Sequence, residues 1–185
     1  MKIKDNDISR VYRTRDQAKK SYDKMSRYYD WVAGIFEKKY TNQALKQLHI
    51  KNGDTVLEIG FGTGHSLVRM AELVGNQGKV YGIDSSIGML EVSKKRLKKS
   101  GLMDKAELYC GDALDMPYQN NQFDAVFMSF TLELFDTPEI PKVLSGIRRI
   151  LKPDGKLGVV SMSKEDGGSV PLKLYEWMHR KFPSY

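Results

Sequence analysis

Glu58, Gly60, Gly62 and Gly64 stand at alternate positions where the apolar run Val56-Leu57-Glu58-Ile59 ends. Asp84 closes a second run, Val80-Tyr81-Gly82-Ile83, about 20 residues further on. Residues of these types can hold a nucleoside. Glycines permit a tight turn whose backbone approaches a ligand with no Cβ in the way. An acid at a strand end accepts hydrogen bonds from both hydroxyls of a ribose. The spacing also bears on the ligand's charge. A dinucleotide fingerprint places its third glycine one position later, at residue 65, so that the next helix can face a pyrophosphate. This chain has His65 there. Glu58, just before the turn, would repel a pyrophosphate but suits a sulfonium or ammonium cation.

Such residues need a scaffold that brings several strand ends together. The apolar periodicity predicts strands at 55–59, 79–84, 106–110, 123–129 and 156–161, alternating with helices. Alternation of this kind implies a parallel sheet with helices on both faces. Right-handed crossovers, with a reversal between the first and fourth strands, give the order 3-2-1-4-5 and a ligand site at the carboxyl ends. Ser85-Ser86 supply hydroxyl caps before Met89-Leu90, and Pro138 and Pro141 sit near the start of a helix running to Ile150. Leu151-Lys152-Pro153-Asp154-Gly155 is expected to break that helix and turn into the fifth strand. Ahead of the sheet, Ala18, Tyr22, Met25, Tyr29 and Val32 recur at helical spacing. Ile35-Phe36, Tyr40, Ala44-Leu45 and Leu48 predict a second helix after Gly34. Residues 1–50 thus form cap helices and residues 51–185 the α/β core of a single domain, 1–185.

At 185 residues the chain is long enough to bury roughly 70% of its unfolded surface, and no disulfide or metal is required. Cys110 is the single cysteine, which excludes an internal disulfide and a cysteine-rich zinc site. The first residues contain no signal-like apolar stretch, and no apolar run reaches the roughly 18 to 20 residues of a membrane span; a cytoplasmic protein is expected. The net charge is +7. Lys94, Lys95, Arg96, Lys98 and Lys99 read as the solvated face of one amphipathic helix. Arg10, Arg13, Arg15, Lys19, Lys20, Lys24 and Arg27 lie near the expected pocket mouth, where they can attract an anionic substrate. The positive residues fall in two helical-looking segments and are not interleaved with surface aromatics in one compact patch, as a nucleic-acid surface would be.

Four motifs together carry a family resemblance: Val56 to Gly64; Tyr81-Gly82-Ile83-Asp84-Ser85-Ser86 with Met89; Gly111-Asp112-Ala113 with Met116-Pro117; and Phe123-Asp124-Ala125-Val126 with Leu151-Lys152-Pro153-Asp154-Gly155. On these the chain resembles the class I S-adenosylmethionine-dependent methyltransferases, closest to the branch of the ubiquinone and menaquinone biosynthesis enzymes. Tyr22-Asp23 and Tyr28-Tyr29-Asp30 resemble that branch's tyrosine-aspartate signature. The resemblance implies a Rossmann-like fold, S-adenosylmethionine as cofactor, and methyl transfer to a small-molecule acceptor. It places Glu58, Gly60, Phe61, Gly62 and Gly64 at the methionine part of the cofactor, Asp84 on the ribose, and Asp112 on the adenine amino group. Ser85 and Met89 line the adenine pocket, the Ala113 N–H meets the ring, and Ser129 with Thr131 lies beside the reacting methyl.

The chain departs from the quinone enzymes where they carry a Gly-x-Arg-Asn-type segment: it reads Ser129-Phe130-Thr131-Leu132-Glu133-Leu134-Phe135, which argues against a quinone acceptor. The Asp/Asn-Pro-Pro-aromatic segment of nucleic-acid amino methyltransferases is missing too. Candidates for a general base are Tyr22, Tyr29, Glu133 and His179. The family's last two strands find no counterpart after the expected helix at 171–182, so a truncated chain is expected, with a fifth-strand edge open to self-association. The competing readings are a non-catalytic nucleoside-binding or assembly module and an NAD-dependent dehydrogenase; an RNA acceptor is a lesser variant of the methyltransferase reading.

Overall fold

A computed structural model of the chain describes residues 34–161. The expected helix through Ala18 to Val32, the tyrosine-aspartate signature and the helix at 171–182 lie outside the described residues. Helix α1 spans Gly34–Leu48, followed by β1 (Thr55–Ile59), α2 (His65–Leu73), β2 (Lys79–Asp84), α3 (Ile87–Lys99), β3 (Ala106–Cys110), β4 (Phe123–Ser129), α4 (Ile140–Ile150) and β5 (Leu151–Val160). The strands form one sheet in the order β3-β2-β1-β4-β5, and every neighbouring pair is parallel. This is the doubly wound order expected from the alternation of elements.

Strand β1 shows why the layers form. Successive side chains of a strand point to opposite faces, so Val56 enters one core and Leu57 and Ile59 the other. The first core packs α1, α2 and α3 against the sheet through Leu45, Leu67, Met70 and Leu97. The second packs α4 through Val143, Ile147 and Ile150. Full burial of a leucine or phenylalanine side chain stabilises a fold by about 1.5–3 kcal/mol, and Leu57, Leu67, Phe123 and Phe127 are all fully buried. A central parallel sheet covered on both faces needs such continuous apolar strands. Glu58 shares the face of Val56 and is the one charged residue in the middle of that run.

The start of β5 differs from the expectation. Residues Leu151 to Gly155 were expected as a turn, with the strand beginning at 156, yet β5 begins at Leu151 directly after α4. Phe123 pairs with Leu151 and Ala125 with Lys156, so two steps on β4 face five on β5. The excess is absorbed as a bulge at Lys152-Pro153-Asp154-Gly155. Proline is tolerated there because a bulge leaves residues outside the ladder. Lys152 anchors the bulge, its Nζ donating to Asp124 Oδ1 at 2.7 Å, while Asp124 Oδ2 accepts the Thr55 N–H at 2.9 Å. On β5, Leu157 and Val159 are exposed. Among the described residues no helix is long and apolar enough to cross a membrane.

Candidate cofactor site

The carboxyl ends of β1, β2 and β4 lie side by side, because Ile59 pairs with both Ile83 and Met128. The chain leaves β1 through the glycine turn. Gly60, Gly62 and Gly64 all have positive φ, at 70°, 51° and 80°, the left-handed region that side chains with a Cβ avoid. Gly60 is also pressed against Thr131, which a Cβ would overlap, whereas a Cβ on Gly62 would meet nothing within 4 Å. The turn is therefore closed at its base and open at its middle.

Asp84 supports that turn. Its Oδ2 accepts the Gly62 N–H and its Oδ1 the Ser86 N–H, each at 2.9 Å. The residue expected to receive ribose hydroxyls thus also joins two strand ends. A carboxylate offers about four acceptor positions, so one acid can serve more than one donor. The backbone completes the frame: Gly60 donates to the Ile83 carbonyl at 2.8 Å, Gly64 to Phe61 at 2.9 Å, and Gly111 to Asp84 at 2.9 Å.

Glu58, in β1 two residues before this turn, is buried. Burial drives its pKa well above the ordinary carboxylate range; a hydrogen bond from Ser66 opposes the rise, and the nearby charge of Asp84 adds to it. Its Oε2 has no hydrogen-bond partner. A buried unpaired acceptor is costly. A cation placed beside it would relieve that cost and draw the pKa back down.

The other expected residues divide between the cleft and the core. Asp112 caps a short helical turn at Ala113–Asp115, its Oδ1 accepting the Leu114 N–H at 2.9 Å, and Ala113 is buried. Ser85 is exposed beside this edge, its carbonyl 3.6 Å from Cys110 Sγ. Met89 and Phe61 belong to the first core, and Phe61 fills the space that a Cβ on Gly82 would take. The apolar side chain exposed at this corner is Ile87, 50% accessible in the first turn of α3. Sequence reading missed it, although an isoleucine placed directly after the capping serines was the available signal.

Ser129 ends β4, and its hydroxyl lies 2.8 Å from that of Thr41 on α1, a contact across 88 residues. Phe130 follows with φ 53°, its N–H donating to the Val160 carbonyl at 2.7 Å, and the buried Thr131 donates back to the Ser129 carbonyl at 3.0 Å. Glu133 sits half-buried in the short helical turn Leu132–Leu134. Tyr22, Tyr29 and His179 lie outside the described residues.

An unpaired buried Glu58 oxygen on the strand that leads into an open glycine turn, with a second acid at the neighbouring strand end, fits a ligand that combines a positive charge with a diol. Comparison with known proteins points the same way. The model of a family described as a methyltransferase domain matches residues 56–155. The demethylmenaquinone methyltransferase of Symbiobacterium thermophilum is 36% identical over 148 residues, covering 77% of this chain and 58% of that one. The 2-phytyl-1,4-naphtoquinone methyltransferase of Trichormus variabilis is 31% identical over 159 residues, covering 86% of this chain and 66% of that one. This chain therefore spans less than two thirds of the length of either relative. A solved SAM-dependent methyltransferase from Aquifex aeolicus is 32% identical with a TM-score of 0.62, covering 77% of each chain.

Proposed function

This chain belongs to the S-adenosylmethionine-dependent methyltransferases, and on that premise we propose that it methylates a small-molecule acceptor, with Glu58, the glycine turn and Asp84 holding the cofactor. The observation that carries the reading is the buried Glu58, two residues before the turn, whose Oε2 lacks a hydrogen-bond partner. A pyrophosphate-bearing ligand would worsen that environment, whereas a cationic one improves it. The dehydrogenase reading loses ground on the same observation.

When bound, the cofactor supplies a methyl carbon on a positively charged sulfur, which a nucleophile takes by in-line displacement. The chain's own residues bind and orient. Asp84 accepts from the ribose hydroxyls while keeping Gly62 and Ser86 in place. Glu58 balances positive charge from within the protein. Asp112, Ala113 and Ser85 lie at the β3 edge, where an adenine would rest, and Ile87 offers it an apolar surface. Ser129, Phe130 and Thr131 leave β4 beside the glycine turn and under α1, a position suited to aligning the acceptor and excluding water. Glu133 is the described candidate for taking a proton if the acceptor must lose one.

Two of the similar proteins are named for demethylmenaquinone and a phytyl-naphthoquinone, so reduced naphthoquinones are the first acceptor class to test. The segment Ser129 to Phe135, which differs from the Gly-x-Arg-Asn-type segment of the quinone enzymes, would have to accommodate that acceptor. The first experiment is calorimetric titration with S-adenosylhomocysteine, using NAD as the comparison ligand. Methyl-transfer assays on reduced naphthoquinones and unrelated phenols follow. Binding of the homocysteine product with turnover supports an enzyme. Tight binding without turnover on any acceptor favours the non-catalytic module, and binding of NAD alone overturns the reading.

A further inference from the structure

One member of the basic run on α3 does not lie on the solvated face. Arg96 turns back toward the sheet, and its Nε donates to the Thr63 carbonyl at 2.7 Å. One helical turn earlier, the fully buried Ser93 donates its hydroxyl to the Gly62 carbonyl at 2.8 Å. Ser93 also packs so close to Gly64 that a Cβ there would stand 2.7 Å from its Oγ and 3.1 Å from its Cα. Two consecutive carbonyls of the glycine turn are therefore held from α3, and the third glycine is locked against the same helix.

A trans peptide is planar, with its C=O and the following N–H pointing in opposite directions. Anchoring the Gly62 and Thr63 carbonyls thus fixes the orientation of two successive peptide planes in a segment whose glycines could otherwise rotate. Asp84 accepts the Gly62 N–H of the same turn. We propose that Ser93 and Arg96 are positioning residues for the cofactor: a two-point brace from α3 that presets the glycine turn in its binding conformation. The inference rests on the cofactor reading above, and no motif of the sequence marked either residue. Setting a loop in its bound shape removes an ordering cost from binding, and a hydrogen bond from a guanidinium is roughly twice as strong as one between neutral groups.

The test compares the wild type with Ser93→Ala, Arg96→Met and Arg96→Lys. Calorimetry with S-adenosylhomocysteine should show affinity weakened roughly 5- to 20-fold in Ser93→Ala and Arg96→Met. Arg96→Lys, which keeps a cationic donor, should recover part of the loss. Amide hydrogen exchange in the ligand-free protein should accelerate at Gly62 and Gly64 while the amides of β1 and β4 keep wild-type protection. A purely structural role would instead lower the melting temperature, speed exchange throughout the core and leave the affinity of the folded fraction unchanged. Affinities within twofold of wild type, or unaltered exchange at Gly62 and Gly64, would overturn the brace. If the wild type fails to bind S-adenosylhomocysteine, the cofactor reading falls, while the exchange experiment still decides whether Ser93 and Arg96 hold the turn.

Discussion

Asp84 and Gly62 are joined by a hydrogen bond of 2.9 Å from the glycine N–H to Oδ2, so the acid that ends β2 also shapes the turn that ends β1. Under the proposed cofactor assignment, ligand recognition and loop geometry meet in this one side chain. Asp84→Ala should weaken S-adenosylhomocysteine binding by about 1.5–3 kcal/mol, on the order of 10- to 150-fold. It should also lower the melting temperature, because the Gly62 and Ser86 N–H groups lose their acceptor. Asp84→Asn keeps one carbonyl oxygen and should fall between the two. Calorimetry and thermal melts on the three proteins check this, and unchanged affinity in Asp84→Ala would remove Asp84 from the site.

Glu58 ties the stability of the fold to pH. Its folded-state pKa lies well above the ordinary value of 4.5, so above that pH the unfolded chain loses a proton that the fold retains. The folded state then binds more protons than the unfolded state, and this group makes stability fall as pH rises from 4.5 toward the raised folded pKa. The slope approaches about 1.4 kcal/mol per pH unit within that window. Glu58→Gln should abolish this contribution and flatten the stability profile, measured by urea unfolding between pH 5 and 8. The same variant should bind S-adenosylmethionine more weakly. In the wild type, cofactor binding should release a proton, detectable by calorimetry in buffers of different ionisation enthalpy. Identical pH slopes for wild type and Glu58→Gln would count against a protonated Glu58.

Helix α1 ends on a residue of the wrong type for its conformation. His49 follows Leu48 with φ 56°, is exposed, and makes a side-chain contact of 2.6 Å from Nδ1 to the Gln47 carbonyl. Glycine is the usual residue just past a helix, because a Cβ is disfavoured in the left-handed region. His49→Gly should therefore stabilise the fold by about 0.5–1 kcal/mol, the relief of backbone strain exceeding the lost contact and the added entropy of the unfolded chain. Denaturant titration reads this directly, and cofactor affinity should not move.

The first four strands were legible because each is a short apolar run bounded by turn residues, and the sheet order followed from alternation and handedness. The start of β5 was not. Pro153 and Gly155 carry strong turn signals, and only pairing with β4 shows that the segment bulges within a strand. Within the site, glycine spacing located the turn and Asp84 the neighbouring strand end. Spacing could not say how far each side chain is covered: Met89 is buried in the first core, while Ile87 is exposed. Arg96 was concealed by composition, since among five basic residues only its being the one arginine, three positions after Ser93, distinguishes it. Glu58 was readable as an acid before a turn, but the absence of a partner on Oε2 is a property of the packed structure.

The glycines of the turn should separate folding from binding. Alanine at position 60 meets both a φ of 70° and the side chain of Thr131, so Gly60→Ala should destabilise the fold beyond the roughly 1 kcal/mol of left-handed strain. Pairing it with Thr131→Gly should recover the steric part and leave the strain. At Gly62 the situation reverses. The φ of 51° carries a similar backbone penalty, but the added methyl enters open space. Gly62→Ala should therefore fold with a loss of only about 1 kcal/mol. If the space beside Gly62 is where the cofactor approaches the backbone, that methyl should cost S-adenosylhomocysteine at least tenfold in affinity, or about 1.4 kcal/mol. Melting and calorimetry on the two single variants give opposite rankings under this assignment: Gly60→Ala is the less stable, and Gly62→Ala loses more affinity than its loss of stability accounts for. A Gly62→Ala protein that binds as well as wild type would place the cofactor elsewhere than over the turn.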